Sequence, residues 1–471
     1  MIYNWKETYE SRRTGAKEAL SKIKKGARIF IGSACGEPQL LVRTLIDIAP
    51  NLADTEVIHF LDVGTTEYID EKFNESFRHN ALFIGWNTRK AIQEGRADYT
   101  PIFLSEVPLL MMRGRMPIDV ALITVSPPDK NGYVSLGISV DITKTAAEVA
   151  DYVVAEVNPN MPRTLGDSFL HMSEIDAFVE NDMPLLEFYQ KIPGDITRSI
   201  GEHIAELIEN ESTLQMGVGR IPNSVLPCLL NKRDLGIHTE AFSDGVIDLI
   251  EAGVITCKKK TLHPGKVIAS FCMGTRRLYE YVDNNPLFEF RPCRYVNDPY
   301  VIAQNDKMVS INAALTIDLT GQVNSDSLGF RFYSGIGGQV DFVRGSSLSK
   351  RGKSIMTLPS TTDDGAKSRI VPYLEPGSGV TVTRGDIHYV VTEFGAAYIH
   401  GKSIRDRAMA LINIAHPKFR DELLEAAKKQ GYVYKDQILP SVLYPKEYET
   451  YWTDNKGVEI FFRPVKPTDE R

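Results

Sequence analysis

The chain has 471 residues, of which 43% are hydrophobic and 24% are charged, with 35 glycines and 25 prolines. This composition is typical of globular proteins and excludes collagen-like, coiled-coil and disordered classes. The length exceeds that of one compact core, so we expect two domains. The 54 basic and 61 acidic side chains give a net charge of −7. Without a basic excess or a long run of Lys or Arg, a nucleic-acid partner is not expected.

Targeting and redox features indicate a cytoplasmic protein. The N-terminal segment MIYNWKETYESRRTGAKEAL is polar, and no window approaches the roughly 18 apolar residues of a membrane helix, so we expect no membrane association. The five cysteines are odd in number, lie far apart and form no CxxC pair. That pattern argues against a disulfide framework and against a zinc site. We therefore expect no bound metal and a reducing compartment.

The first half alternates predicted strands and helices. Residues 27–31 form an apolar run that ends in a glycine turn, and Pro38 then opens an amphipathic segment, since proline is allowed in the first turn of a helix. Residues 57–61 and 120–125 are further β-branched, apolar runs. This order predicts a parallel sheet covered by helices.

The same rhythm begins again near residue 191. Asp195 can cap a helix that carries apolar residues on one face, and residues 213–216 form the next predicted strand. A glycine turn, a helix opened by Pro222 and a strand at 235–239 follow. We therefore predict one domain over residues 1–190 and a second over residues 191–471.

The two halves share an ordered series of residues, which indicates an internal duplication. The matching positions of the first and second half are Gly32 with Gly217, Pro38 with Pro222, and Ile58-His59 with Ile237-His238. A chance recurrence remains the alternative, because strand–glycine turn–helix units occur in unrelated folds. The copies differ after the Ile-His pair, where only the second half is expected to carry a carboxylate at its strand end.

That carboxylate belongs to Glu240, at the predicted end of a strand and directly before the Phe-Ser-Asp-Gly turn at 242–245. Ligands of open α/β sheets collect at the carboxyl ends of strands, and a glutamate can act as a nucleophile that forms an acyl intermediate. The alternative is an ordinary solvated loop glutamate.

Two glycine-rich segments could bind a ligand through backbone N–H groups. Residues 333–342 include Gly337 and Gly338, which could stabilise an oxyanion or a phosphate, although a plain tight turn is an equal alternative. Residues 215–219 precede Arg220 and a predicted helix, a suitable place for an anionic group. Their alternative role is close packing of helix on sheet.

Other reactive side chains have weaker signals. His238 precedes Glu240 in the same strand, where a packed histidine is the simpler interpretation. Cys35 lies in a glycine turn after a strand but has no local base. His388 and His400 lack the spacing of metal ligands.

Several motifs together resemble the acetyl-CoA hydrolase/transferase branch of the class I coenzyme A transferases. They occur in the order of that family and span nearly the whole chain. The segments that carry the resemblance are residues 125–133 (VSPPDKNGY), 215–222 (QMGVGRIP), 238–245 (HTEAFSDG), 312–326 (NAALTIDLTGQVNSD), 335–342 (GIGGQVDF) and 391–397 (VTEFGAA).

The resemblance implies two similar, open, mostly parallel α/β domains with the active site in the cleft between them. It implies that Glu240 is the nucleophile, and we add Gly337 and Gly338 as oxyanion donors. The positions that it implies contact coenzyme A are Gln215, Met216, Gly217, Val218, Gly219, Leu315 and Gly338.

The implied reaction exchanges CoA between a short-chain acyl-CoA, of butyryl or 4-hydroxybutyryl type, and a carboxylate such as acetate. It proceeds through a glutamyl-CoA thioester with ping-pong kinetics. Acyl-CoA and carboxylic acid are the expected small-molecule partners, no permanently bound cofactor is expected, and the resemblance suggests a homodimer. An acyl-CoA hydrolase and a non-catalytic CoA-binding regulator stay open as alternatives. The C-terminal extension through residues 448–452 has no functional interpretation.

Overall fold

The computed structural model describes residues 5–190 and 192–439. The proposed C-terminal extension lies outside these residues. The helices and strands of the first half, in chain order, are α1 Trp5–Arg12, α2 Ala16–Leu20, β1 Arg28–Ile31, α3 Gln39–Asp47, β2 Thr55–His59, β3 Phe77–Ala81, α4 Arg89–Gln93, β4 Asp98–Tyr99, α5 Val107–Met112, β5 Val120–Val125, β6 Tyr133–Ser135, α6 Thr143–Val149, β7 Tyr152–Val157, β8 Phe169–His171 and β9 Ala177–Glu180.

Seven of these strands form one parallel sheet in the order β4-β3-β2-β1-β5-β7-β9. Its inner strands β2 and β5 are buried along their whole length, which explains why they read as continuous apolar or β-branched runs. The chain enters at β1, extends to one side through β2, and later returns to the other side through β5. The crevice between β1 and β5 is therefore a topological switch point.

The second half contains a longer set of elements. In chain order these are α7 Asp195–Leu207, β10 Thr213–Met216, α8 Arg220–Val225, β11 Gly236–Phe242, α9 Gly245–Glu251, β12 Val267–Cys272, α10 Arg276–Val282, β13 Phe288–Phe290, α11 Cys293–Val296, α12 Pro299–Ile302, β14 Met308–Ala313, β15 Thr316–Asp318, β16 Val323–Asn324, β17 Ser327–Leu328, β18 Arg331–Phe332, α13 Gln339–Leu348, β19 Lys353–Thr357, β20 Ile370–Val371, β21 Tyr389–Thr392, β22 Gly395–Tyr398, α14 Ile404–Ile414 and α15 Pro417–Lys429.

The second sheet repeats the strand order of the first. It runs β13-β12-β11-β10-β14-β19-β21-β22, and all of its neighbours are parallel except the antiparallel edge strand β22. Strand β10 takes the place of β1 and β11 that of β2, as the matched glycines and Ile-His pairs predict. The expectation of two similar, open, mostly parallel α/β units is confirmed. The boundary at residues 190 and 191 stays a prediction.

Two predicted boundaries move by a few residues. The helix expected from Pro222 begins at Arg220 and is only six residues long. The strand expected to end at residue 239 continues to Phe242, so Glu240 lies within β11 rather than after it. Glycine-rich turns and proline positions are weak guides to where regular structure starts and stops.

The two sheets pack against each other through a shared apolar core. Phe60 of the first half contacts Phe271 of the second edge to face, with ring centroids 6.1 Å apart. Backbone hydrogen bonds join the halves as well. The N–H of Val140 donates to the carbonyl of Ser270 (3.0 Å), and the N–H of Cys272 donates to the carbonyl of Ile138 (3.0 Å). This contact closes the floor of a cleft between the carboxyl ends of both sheets. In the described residues, no helix is long and apolar enough to cross a membrane.

Candidate active site

Glu240 and its neighbour Ala241 are the residues of strand β11 that line the cleft. All other residues of this strand are buried, whereas the Glu240 side chain is partly exposed. The neighbouring strand β10 ends at Met216, beside Thr239, so the second sheet leaves this carboxylate uncovered on one side. The sequence placed Glu240 at the correct end of the sheet, and its role as nucleophile stays a prediction.

Two donors hold the Glu240 carboxylate. The Asn297 side-chain amide donates to Oε2 over 2.8 Å, and the backbone N–H of Gly338 donates to the same carboxylate. Gly338 approaches so closely that a Cβ added there would lie 1.9 Å from Oε2 and 2.2 Å from the Asn297 amide nitrogen. Gly338 is therefore glycine because of the close approach to Glu240, since its φ of −92° is open to other residues.

The surroundings of Glu240 make its carboxylate unusually basic. Desolvation by the protein is the main cause that raises the pKa of Glu240 to about 7, and the nearby Asp141 carboxyl also raises it. The hydrogen bonds from Asn297 and Gly338 lower the pKa but do not offset the burial. A carboxylate with a pKa near neutrality is a stronger nucleophile than an ordinary surface glutamate.

The cleft in front of Glu240 has a volume of about 590 Å³ and takes its walls from both halves. First-half residues come from the turns after β2 and β3 and include Phe188. Second-half residues come from the carboxyl ends of β10, β11, β12, β14 and β19, from the segments that follow β10, β12 and β14, and from the turn at residues 333–338. Of the positions predicted to contact CoA, those that line this cleft are Gln215, Gly217, Val218, Gly219, Leu315 and Gly338. A Cβ added to Gly217 or Gly219 would meet open space, so both backbones face the cleft directly.

Met216 differs from its predicted neighbours, because its side chain is buried in the apolar core and does not line the cleft. Successive residues of a strand face opposite sides, and Met216 follows Gln215, which does line the cleft. The Gln215 side-chain oxygen accepts from the backbone of Ile311 (3.1 Å) and from Asn312 (3.2 Å). Gln215 thus joins β10 to β14 at the switch point of the second sheet.

The predicted oxyanion donors lie beside the nucleophile candidate. Gly337 adopts a φ of +56° and its carbonyl accepts from the backbone of Leu104 in the first half. The N–H of Gly338 contacts Glu240 itself in this structure. The assignment of both N–H groups to an oxyanion stays a prediction.

An aromatic pair and two arginines border the cleft. The Trp86 ring is 57% exposed and stacks on Phe188, with centroids 6.5 Å apart and planes 15° apart. The Arg89 guanidinium lies 3.8 Å from the centroid of the Tyr333 ring, across the two halves, and Arg220 is exposed at the start of α8. All five of these side chains line the cleft. The combination offers flat apolar surface for a base or chain and positive charge for phosphates.

Three polar residues near Glu240 were not found by sequence analysis. Asn297 follows α11, 57 positions after Glu240, and no local motif marks it. Asp141 approaches from the first half and Asp341 from the first turn of α13. Asp341 falls within the quoted segment 335–342, so that motif contained a signal for it, whereas the other two become neighbours only through the tertiary fold.

The rival reactive groups are buried or have unsuitable pKa values. His238 is fully buried, shares a 2.9 Å hydrogen bond with the carbonyl of Val296, and has its pKa lowered to about 3 by burial. Burial raises the pKa of Cys35 to about 12, which disfavours the reactive thiolate. Within the described residues, no group of three or more His, Cys, Asp or Glu is arranged to hold a metal ion.

The first half also carries a carboxylate at its strand end, contrary to expectation. Asp62 follows β2, is buried, and pairs with His59, which lies at the position of His238. The pair lowers the pKa of Asp62 to about 2 against the effect of burial. Asp62 lies three positions after His59, whereas Glu240 lies two positions after His238. The alignment of the two Ile-His pairs therefore did not match the two carboxylates. Its partners make it a structural ion pair rather than a free nucleophile.

Comparison with known proteins identifies the family. The acetyl-CoA hydrolase/transferase N-terminal domain matches residues 2–188, and the C-terminal domain of the same family matches residues 274–427. The 4-hydroxybutyrate coenzyme A transferase of Clostridium kluyveri is 53% identical over 426 residues, which cover 90% of this chain and 99% of the relative. The butyryl-CoA:acetate CoA-transferase of Anaerostipes caccae is 37% identical over 440 residues, covering 90% and 98%.

Solved structures agree with this result. RipA from Yersinia pestis superimposes with a TM-score of 0.86 at 39% identity, covering 92% of this chain and all of that one. A 4-hydroxybutyrate CoA-transferase from Porphyromonas gingivalis has a TM-score of 0.78 at 39% identity, covering 91% and 100%. The fold and these matches define an enzyme of the CoA-transferase class. Within that class, the chain belongs to the acetyl-CoA hydrolase/transferase family, as its motifs predicted.

Proposed function

We propose that this enzyme exchanges CoA between a short-chain acyl-CoA, of butyryl or 4-hydroxybutyryl type, and a carboxylate such as acetate, with Glu240 as the covalent nucleophile. The observation that carries the proposal is a desolvated glutamate, held by Asn297 and Gly338, at the floor of a cleft lined by both halves. The named activities of the relatives from C. kluyveri and A. caccae support the choice of substrates.

The exchange needs no net proton transfer. A Glu240 oxygen attacks the thioester carbonyl and the C–S bond breaks. CoA departs as the thiolate, and a mixed anhydride between Glu240 and the acyl group remains. The thiolate then attacks the glutamyl carbonyl, the C–O bond to the first acid breaks, and a glutamyl-CoA thioester remains. The acceptor carboxylate reverses both steps and leaves as its CoA ester. The thioester bond energy stays within the enzyme, and the kinetics are ping-pong.

The surroundings of Glu240 support each step. A raised pKa near 7 makes the carboxylate basic enough to attack a thioester. When Glu240 is acylated it loses its charge, and the Gly338 N–H then becomes available to the oxyanion that forms at the glutamyl carbonyl, together with the N–H of Gly337. One such donor typically contributes about 10²–10³ in rate.

The decisive test is chemical trapping of the intermediate. The protein is incubated with butyryl-CoA, treated with borohydride or hydroxylamine, and digested for mass spectrometry, with the expectation that Glu240 is modified. Glu240→Gln is expected to lose both the adduct and the exchange activity. Glu289→Gln is the matched control, because Glu289 is a partly exposed glutamate of the edge strand β13, two strands from β11 in the same sheet. Modification of another residue, or full activity in Glu240→Gln, would contradict the proposal.

CoA release with and without acetate, together with the trapping result, separates the alternatives. A hydrolase would release CoA from butyryl-CoA at the same rate with and without acetate, whereas the proposed transferase requires the acceptor. The acetyl-CoA hydrolase of Neurospora crassa is a more distant relative, 27% identical over 72% of this chain, which favours transfer. A regulator without catalysis would bind CoA and form no adduct.

Three further assignments belong to this proposal. The domain boundary lies near residues 190 and 191, between the two sheets. The protein acts in the cytoplasm, in agreement with its five free cysteines. It forms a homodimer, an assignment that rests on the family resemblance and is tested by light scattering in solution.

A further inference from the structure

Asp341 is a buried acid that is separated from the nucleophile candidate Glu240 by one intervening side chain. It lies in the first turn of the ten-residue helix α13 and is only 3% exposed. Ser105 of the first half donates twice to its carboxyl group, through the backbone N–H (3.1 Å) and the hydroxyl (2.8 Å). A buried carboxyl with donors from the opposite half of the molecule has no role in the reaction described so far.

Asn297 connects this acid to Glu240. Its side chain is completely buried, and its amide donates to Glu240 Oε2 over 2.8 Å. The same side chain also lies against Asp341, where it lowers the pKa of that carboxyl group. Asn297 therefore lies between the two carboxyl groups. A continuous chain runs from Ser105 through Asp341 and Asn297 to Glu240, and it begins in one half of the protein and ends in the other.

We propose that Asp341 is a positioning residue for Glu240: its buried carboxyl group orients the Asn297 amide and, when ionised, repels the Glu240 carboxylate. The inference rests on the proposed function of Glu240. Because Ser105 supplies two of the donors to Asp341, the geometry of the nucleophile depends on correct docking of the two halves.

Two structural features stabilise the ionised form of Asp341. It accepts two hydrogen bonds from Ser105, and the Asn297 side chain also lowers its pKa. Its place in the first turn of α13 also puts it at the positive end of the helix dipole. Two carboxylates on either side of one side chain repel each other and titrate as a coupled pair. Removing the charge at Asp341 should therefore make Glu240 less basic.

Other ionisable groups around the pair do not reverse this effect. Burial is the main cause that raises the pKa of Asp341 to about 7, and repulsion from Glu240 adds to it. Asp141 faces Glu240 from the first half and raises its pKa in the same sense. The Cys293 thiol of α11 faces all three acids, and burial holds its pKa well above the ordinary value, so it stays neutral.

The test is the pH dependence of kcat/KM for acyl-CoA in Asp341→Asn, which keeps the shape of the side chain. The acidic limb is expected to move to lower pH by on the order of one unit, because Glu240 loses a repelling neighbour. The plateau of kcat should fall on the order of tenfold or more as the nucleophile becomes weaker and less ordered, while KM for acyl-CoA stays within about twofold. Ser105→Ala keeps the charge but removes one donor, and it should shift the limb in the same direction by less.

The matched control is Asp318→Asn in strand β15. Asp318 is also buried, and it accepts a backbone N–H (2.9 Å) and a hydroxyl (2.7 Å) from a single residue, Thr320. This variant should lose thermal stability like Asp341→Asn but leave the pH profile unchanged. An unshifted acidic limb in both Asp341→Asn and Ser105→Ala overturns the inference. Absence of a Glu240 adduct in the wild-type enzyme would instead overturn the proposed function, so the two failures are distinguishable.

Discussion

Replacing Gly338 by alanine perturbs the nucleophile without straining the backbone. The φ of −92° at this position is available to alanine, so we expect the fold to persist. The new Cβ would lie 1.9 Å from Glu240 Oε2, and real Cβ contacts essentially never fall below 3.0 Å. The carboxylate must therefore retreat by about 1.1 Å, the difference between these two distances. The Asn297 amide nitrogen, 2.2 Å from the added Cβ, must shift as well. Both groups are the ends of side chains rather than backbone, so the change should affect function more than folding.

The size of the effect follows from this displacement. A misplacement near 1 Å can cost about 10²-fold in rate, which corresponds to about 2.7 kcal/mol of activation free energy. The assays are steady-state kcat with butyryl-CoA and acetate, the single-turnover rate of adduct formation at Glu240, and thermal unfolding. Gly194→Ala is the control, because φ at Gly194 is −81° and its Cβ would meet open space. A Gly338→Ala enzyme with full activity and an unchanged rate of adduct formation at Glu240 would refute the argument that Gly338 positions the carboxylate.

Three further outcomes are expected. The Glu240 carboxylate must be deprotonated to attack, so its pKa of about 7 predicts that kcat/KM rises through neutral pH and is lost below it; a flat profile between about pH 5 and 8 would contradict this assignment. Glu240→Asp withdraws the carboxylate by one methylene and should slow adduct formation roughly 10²-fold, measured by quenched mass spectrometry. Trp86→Ala should raise KM for acyl-CoA about tenfold with kcat nearly unchanged, if the exposed ring stacks on substrate; Tyr300→Ala, a similarly exposed aromatic, serves as control.

The fold was predictable because its pattern is local and repeated. The apolar run at 120–125 becomes the fully buried strand β5, and the helix predicted from Asp195 becomes α7. The capping role predicted for Asp195 was wrong, because Asp195 is the first residue of the helix and Gly194 is the N-cap. The ordered matches from Gly32 to His59 and from Gly217 to His238 revealed the duplication, which the equal strand orders of the two sheets confirm. Boundaries were less accurate, since the strand containing Glu240 continues for two residues beyond it.

The site was predictable only where one segment contains both the motif and the chemistry. Glu240 and Gly338 each belong to a quoted motif, and the structure places them in contact. Asn297 could not be found, because it reaches Glu240 from a short helix end 57 residues away. The pKa of Glu240 was equally hidden, since it arises from burial and from Asp141 of the other half. Such properties depend on how the two halves dock rather than on any local sequence.

The covalent role of Glu240 is the central claim, and direct identification of the intermediate tests it most directly. Borohydride reduces the glutamyl thioester to the alcohol with release of CoA. Intact and peptide mass spectrometry after reaction with butyryl-CoA and borohydride should therefore locate one reduced side chain per chain, at Glu240. The adduct should disappear when excess acetate is added before the quench, because the acceptor discharges the glutamyl-CoA thioester. An enzyme that turns over fully while Glu240 stays unmodified, or carries the adduct on another residue, would contradict the account.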